Sequence, residues 1–214
     1  MSGRLLVAVP MKDPAAAKTR LADALPDPLR ERLAEGLFAH TLRLLLSLPT
    51  PPVWEAMDVA VVTGAPRVAA MAEALGARAV DEGAVPELSA ALDHAAIWAR
   101  RQGYAALAVL PADLAAPRPE DLLALLGHRP GPGEVLLCPA ADYGTNGLLV
   151  APPDALPFAF GPGSFHRHRA AAEAHGLTPV LMPLESLRHD VDTSADLARL
   201  AKAQPTLLAG WTGR

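Results

Sequence analysis

The 214-residue chain carries a net charge of −4, with 51% hydrophobic and 20% charged residues. That balance fits one globular domain with a sizeable core and excludes a disordered chain. It also lacks the basic face that nucleic acid or an anionic membrane requires, so neither is an expected partner.

Strand and helix patterns alternate along the chain. Leu5 to Val9 is a short apolar run closed by Pro10, the form of a buried parallel strand. The next connection carries Lys12, Lys18 and Arg20, and it holds two of the chain's three lysines. Such a strand-to-helix loop, with cations and backbone N–H groups, is where α/β proteins hold phosphates. Asp27-Pro28 supplies an N-cap and a first-turn proline for a helix through about Ser47, with Leu33, Leu37, Thr41, Leu44 and Leu48 on one stripe. Pro49, Pro51 and Pro52 stop it.

Val59 to Val62 reads as the second strand, Pro66 to Gly76 as a helix, and Ala77 to Val80 as a brief strand. A helix from Glu87 to Gln102 leads to a fourth strand, Ala106 to Leu110, and then at once to Pro111-Ala112-Asp113. Pro119 to Leu126 is a short helix, and Gly127 to Gly133 a turn segment. Val135 to Pro139 and Gly147 to Val150 are strand-like, with Ala140 to Asn146 between them. Ser164 to His175 is helical, Thr178 to Met182 a strand, and Ser194 to Lys202 a last helix. The first 115 residues therefore read as βαβαβαβ, a mainly parallel sheet, with the later half inserted into it or extending it.

The single cysteine, Cys138, excludes a disulfide framework or multi-cysteine zinc site and reads as a small buried hydrophobe. No apolar run approaches the ~18 residues of a membrane span, and no secretory signal is recognisable, so a cytoplasmic location is expected. No Gly-x-Gly-x-x-Gly follows the first strand, and no Gly-Lys pair exists for a Walker A loop.

Isolated aspartates at later strand ends remain. Asp113 follows strand four, where a parallel sheet places its catalytic edge. Asp190 and Asp192 form Asp-Val-Asp, and alternate residues of an extended segment point the same way. Carboxylates so placed make a hard oxygen site suited to Mg²⁺, whose other ligands are phosphates and water. Gly161 and Gly163 permit close backbone approach, and Ser164 is placed to cap the next helix, whose N-terminus suits a second anion. His166 and His168 lie about 200° apart on a helix and cannot share one ion. These features fit a phosphate-handling enzyme, and they also leave open a sugar-phosphate or molybdopterin nucleotidyltransferase, an Asp-x-Asp glycosyltransferase or a nucleotide-sensing module.

Five segments sharpen the choice. Pro10-x-Lys12-x₄-Ala17-Lys18-x-Arg20-Leu21, Ala112-Asp113-Leu114, Gly144-Thr145-Asn146-x-Leu148, Phe160-Gly161-x-Gly163-Ser164-Phe165-x₂-His168 and Asp190-x-Asp192-Thr193-x₂-Asp196-Leu197 occur in order. Together they resemble the 2-phospho-L-lactate guanylyltransferase family of coenzyme F-420 biosynthesis, which also includes phosphoenolpyruvate guanylyltransferases. The resemblance runs from Leu5 to about Leu200. It implies a single-domain Rossmann-like nucleotidyltransferase fold of the molybdenum-cofactor guanylyltransferase type. Residues 1–115 would be its nucleotide-binding half and 116–214 its acceptor-binding half.

The resemblance further implies GTP and Mg²⁺, with GMP transferred to the phosphate of a small three-carbon acid and pyrophosphate released. Lys12, Lys18, Arg20, Thr63 and Ser89 would hold the nucleotide, with Lys18, Arg20 and Asp113 catalytic. Thr145, Gly161 and Ser164 would hold the acceptor, and Asp113, Asp190 and Asp192 the metal. Leu88-Ser89 departs from the family's usual Leu-Asn, and Ala115 from a frequent proline. A transferase accepting the guanylylated product is the implied functional partner, and a homodimer stays open.

Overall fold

Seven strands form one sheet in the computed structural model, which describes residues 3–84 and 87–212. The strands are β1 (Arg4–Pro10), β2 (Ala56–Val62), β3 (Arg78–Val80), β4 (Tyr104–Val109), β5 (Glu134–Pro139), β6 (Thr145–Val150) and β7 (Thr178–Leu181). Between and after them run α1 (Asp27–Ser47), α2 (Pro66–Leu75), α3 (Leu88–Arg101), α4 (Pro119–Leu126), α5 (Ser164–Ala174), α6 (Ser194–Ala203) and α7 (Pro205–Thr212). The order across the sheet is β3-β2-β1-β4-β6-β5-β7. β1 pairs in parallel with both β2 and β4, β2 with β3, and β5 with β7. β6 alone runs antiparallel, between β4 and β5. The expected mainly parallel α/β fold is therefore present, and the later half of the chain extends the sheet through that reversed strand.

Strand alternation explains why helices cover both faces. In β1, Leu5, Val7 and Val9 join a core with α1, α2 and α4, while Leu6 and Ala8 join one with α3 and α5. Cys138 is buried in the first of these cores, and burial, then Asp121, pushes its thiol up to about 12. It is the inert small hydrophobe the sequence suggests.

Several local readings need correction. Asp27 is the first residue of α1 and not its cap, because extended Pro26 takes that place and the Asp27 carboxylate pairs with Arg30. Leu44 and Leu48 are only half-buried, whereas Phe38, Leu42 and Leu45 are fully buried, since the covered face is wider than one stripe. Thr145 and Asn146 lie inside β6, not in the loop before it. Ser164 is the first residue of α5, and left-handed Gly163 (φ 68°) is its cap. Finally, Pro205 opens α7 just after α6 ends, a helix the periodicity of so short a segment did not reveal.

Candidate active site

The carboxyl ends of β1 and β4 build the site from adjacent strands. Past β1, the chain makes two single-turn 3₁₀ helices, Pro14–Ala16 and Thr19–Leu21. Asp13 starts the first by accepting from the Ala15 N–H at 3.0 Å. Lys18 sits between them at φ 56°, a left-handed conformation that a non-glycine residue adopts only when its surroundings hold it. Leu21 is the anchor. It is buried with Leu25, Leu33, Leu37, Ala115, Val191 and Leu200 in a small third core.

The same core ties the other two segments of the site. Beyond β4, Ala115 N–H donates to the His189 carbonyl at 2.9 Å, and Val191 N–H donates to the Asp113 carbonyl at 3.1 Å. These bonds lay residues 189–191 antiparallel to 113–115. Val191 is fully buried, so its neighbours Asp190 and Asp192 project to the opposite side, toward Asp113. A capping box then fixes the start of α6. Thr193 is the cap, and Asp196 accepts from the Thr193 N–H at 2.9 Å and the Asp192 N–H at 3.3 Å.

The result is a triad. Asp113, Asp190 and Asp192 each offer a carboxylate oxygen within 4.8 Å of the others, the one such group of metal-ligating side chains among the described residues. Burial, then the Asp113 and Asp192 carboxylates, push the Asp190 carboxyl up to about 6. Lys18 is the counter-charge. Its side chain is 5% exposed, and its ammonium contacts Asp113 and lies 3.0 Å from Asp192. Burial works against that charge, but the two carboxylates outweigh it and hold the lysine pKa above its ordinary value. Arg20 reaches Asp192 at 3.4 Å from an exposed position, a weaker contact. Three hard oxygen donors opposed by one ammonium fit a divalent cation such as Mg²⁺.

A cavity of about 370 Å³ opens beside the triad, and Lys12, Lys18, Asp113 and Asp192 line it. Thr145, Gly161 and Ser164 do not line that cavity; they form a second group. Ser164 Oγ donates to Thr145 Oγ1 at 3.1 Å, and both residues are buried. His168 completes the group from the next turn of α5. The Ala159 N–H donates to His168 Nε2 at 2.9 Å, so the ring proton sits on Nδ1 and donates to Thr145 Oγ1 at 3.0 Å. Arg167 holds the adjoining loop by donating to the carbonyls of Ala159, Phe160 and Pro162. Gly161 lies in that loop at φ 112°, a conformation that favours glycine. Ser89 links the two groups. Its Oγ accepts from the Phe160 N–H at 3.0 Å, while the preceding Leu88 lines the cavity. Thr63 Oγ1 accepts from the Ala65 N–H at 3.1 Å, which shapes the turn after β2.

The amino-acid sequence by itself assigns no role to His168 or Arg167. Their signal is the placement of both one turn after a glycine-opened helix start, but polar residues on so short a helix are not diagnostic. His168 also gives a stability test. Burial, then Arg167, lowers its pKa to about 4, against about 6.5 in an unfolded chain. The unfolded state then binds more protons between those values, so stability falls as pH drops from about 6.5 toward 4. At pH 5 the loss from this group is about 2 kcal/mol. Asp190, with its raised pKa, acts in the opposite sense, so the comparison must be made against His168→Gln. Urea unfolding at pH 7 and pH 5 should show a smaller acid loss in the variant than in the parent. Equal losses would mean that His168 is not the group responsible.

The chain is similar over almost its whole length to known proteins. The family model described as "Guanylyl transferase CofC like" matches residues 5–202. The 3-phospho-D-glycerate guanylyltransferase of Colwellia psychrerythraea is 34% identical over 199 residues, 92% of this chain and 91% of that protein. The phosphoenolpyruvate guanylyltransferase of Rubrobacter xylanophilus is 39% identical over 193 residues, 90% and 91% of the two chains. Among solved structures, a protein of Desulfovibrio desulfuricans G20 classed with the nucleotide-diphospho-sugar transferases superposes with a TM-score of 0.72. At 18% identity, with 99% of each chain covered, that likeness speaks for the fold. From the family match and the two curated relatives it follows that this chain belongs to the CofC-like guanylyl transferase family.

Proposed function

We propose that this protein transfers GMP from GTP to the phosphate of a three-carbon phospho-acid, releasing pyrophosphate, as a step of coenzyme F-420 biosynthesis. The acceptor is 2-phospho-L-lactate, phosphoenolpyruvate or 3-phosphoglycerate. The observation that carries this reading is the meeting of Asp113, Asp190, Asp192 and Lys18, of which Lys18, Asp113 and Asp192 line one cavity. The reaction would run in the cytoplasm, and the activated product would pass to a second transferase.

The chemistry is governed by charge. A phosphate monoester has its second pKa near ~6 and is largely dianionic at neutral pH, so the acceptor is a nucleophile without a general base. The barrier is repulsion between two anions. Residues 1–115 would bind the nucleotide and 116–214 the acceptor. Lys12, Lys18 and Arg20 would hold the triphosphate and offset charge on departing pyrophosphate. Thr63 and Ser89, proposed to bind the nucleotide, do not line the cavity, and their hydroxyls accept from the Ala65 and Phe160 N–H groups. Asp113, Asp190 and Asp192 would hold Mg²⁺, which when bound supplies positive charge to the phosphates. Thr145, Gly161 and Ser164 orient the acceptor for in-line attack at the α-phosphorus.

Ser164 and Thr145 share a hydrogen bond, so Ser164→Ala removes a buried donor and should cost about 1 kcal/mol of stability. Its kinetic mark should be a rise in the acceptor KM larger than any rise in the GTP KM. A rise confined to GTP would exchange the two halves of the site. The whole reading is tested by incubating the protein with GTP, Mg²⁺ and each of the three acids, with mass analysis of products. A guanylylated acid with stoichiometric pyrophosphate is expected; turnover only with sugar phosphates would replace the assignment.

A further inference from the structure

The cavity reaches beyond the triad. Along the carboxyl edge of the sheet the strands run β4, β1, β2, β3, so the end of β3 lies three strand spacings, about 14 Å, from that of β4. Glu82 lies just past β3, and it lines the same cavity as Asp113 and Asp192. A nucleotide with its phosphates beside the triad and the Lys12–Arg20 loop must extend away from β4, and the cavity leads it across β2 toward Glu82.

The walls at that end are apolar. Pro10, Met11, Val62, Leu88 and Ala91 line the cavity along with Glu82, a setting that suits a flat heteroaromatic ring. Glu82 is half-buried, and no hydrogen bond or ion pair among the described residues occupies its carboxylate. Gly64 makes room for it, since a Cβ there would lie 2.3 Å from Glu82 Oε1. The side chain is thus an acceptor-only group at the edge of an apolar slot. An ionised carboxylate has two oxygens side by side and no proton to give.

Of the common nucleobases, guanine matches that edge. Its N1–H and exocyclic N2–H₂ are adjacent donors, spaced for the two oxygens of one carboxylate. Adenine turns its N1 lone pair to the same place and is repelled. Hypoxanthine keeps N1–H but lacks the amino group, so it keeps only half of the pairing. We infer that Glu82 is the residue that selects guanine, by accepting from N1–H and N2–H₂. This rests on the reading of the cavity as a guanine-nucleotide site.

The test separates the two. GTP, ITP and ATP are titrated calorimetrically into the full-length protein with Mg²⁺ and no acceptor, so that no turnover occurs. The parent should bind GTP at least about ten-fold more tightly than ITP, the size expected for one charge-assisted hydrogen bond, and ATP more weakly still. Glu82→Gln and Glu82→Ala should bring the GTP-to-ITP ratio close to unity with an unchanged melting temperature, because Glu82 makes no internal bond among the described residues. Variants that keep the parent's ratio, or that weaken GTP and ITP equally, would overturn the inference and place Glu82 on the ribose or in solvent. A parent protein that binds no guanine nucleotide would instead overturn the reading of the cavity, and the inference with it.

Discussion

Asp113→Asn should remain folded and lose at least ~10² of its Mg²⁺-dependent pyrophosphate release. The substitution is nearly isosteric. The structural role of residue 113 is carried by its carbonyl, which accepts from Val191 N–H at 3.1 Å, and asparagine keeps that carbonyl. Among the described residues the Asp113 carboxylate accepts a hydrogen bond from Lys18, and Lys18 retains Asp192 at 3.0 Å when that bond is gone. The melting temperature should therefore move little while the oxygen donor set loses one anionic ligand. Calorimetry with Mg²⁺ should show weaker binding in parallel with the lost turnover. Asp192→Asn should behave alike, except that it also frees Arg20. A folded Asp113→Asn protein with the parent's rate would remove the triad from the chemistry.

The parts of this site that sequence makes legible share a cause. Lys12, Lys18 and Arg20 stand out because the chain uses lysine three times and places two of them on one strand-to-helix loop. Asp113 is readable because it closely follows an apolar strand-like run, β4 (Tyr104–Val109), and Asp190 with Asp192 because Val191 between them is apolar and must turn inward. Alternation about one buried residue is a local rule, and it survives folding. The features that sequence leaves hidden depend on distant partners. That the 189–191 segment pairs with 113–115 across more than seventy residues is set by backbone bonds that leave no composition mark. His168 looks like a surface residue on a polar helix, yet it is fully buried because Ala159 N–H and Thr145 Oγ1 satisfy both ring nitrogens. Ser164 comes after a glycine and reads as a cap; the left-handed Gly163 takes that place and frees the serine hydroxyl for Thr145. β6 is readable, but its start is set late because Gly144-Thr145-Asn146-Gly147 reads as turn, and its pairing with β5 overrides that propensity.

Lys18→Ala should separate metal binding from turnover. The ammonium sits against Asp113 and Asp192, so it competes with any cation for the same oxygens while relieving the repulsion among three carboxylates. Its removal leaves the triad more negative, and Coulomb's law then favours a divalent ion more than before. Mg²⁺ should bind at least as tightly to the variant as to the parent. Turnover should fall nonetheless, by at least ~10², because the cation that would follow charge onto the departing pyrophosphate is gone. The fold should survive, since Leu21 and its core hold the loop without the lysine and alanine removes a long side chain from a strained backbone position. Residual strain at φ 56° is common to both proteins, and Lys18→Gly, which has none, shows whether loop geometry contributes to the rate. Calorimetry of Mg²⁺ binding beside pyrophosphate release at saturating GTP gives both quantities. Loss of metal affinity and turnover together would make Lys18 an organiser of the triad, and an unchanged rate would leave the triphosphate to Lys12 and Arg20.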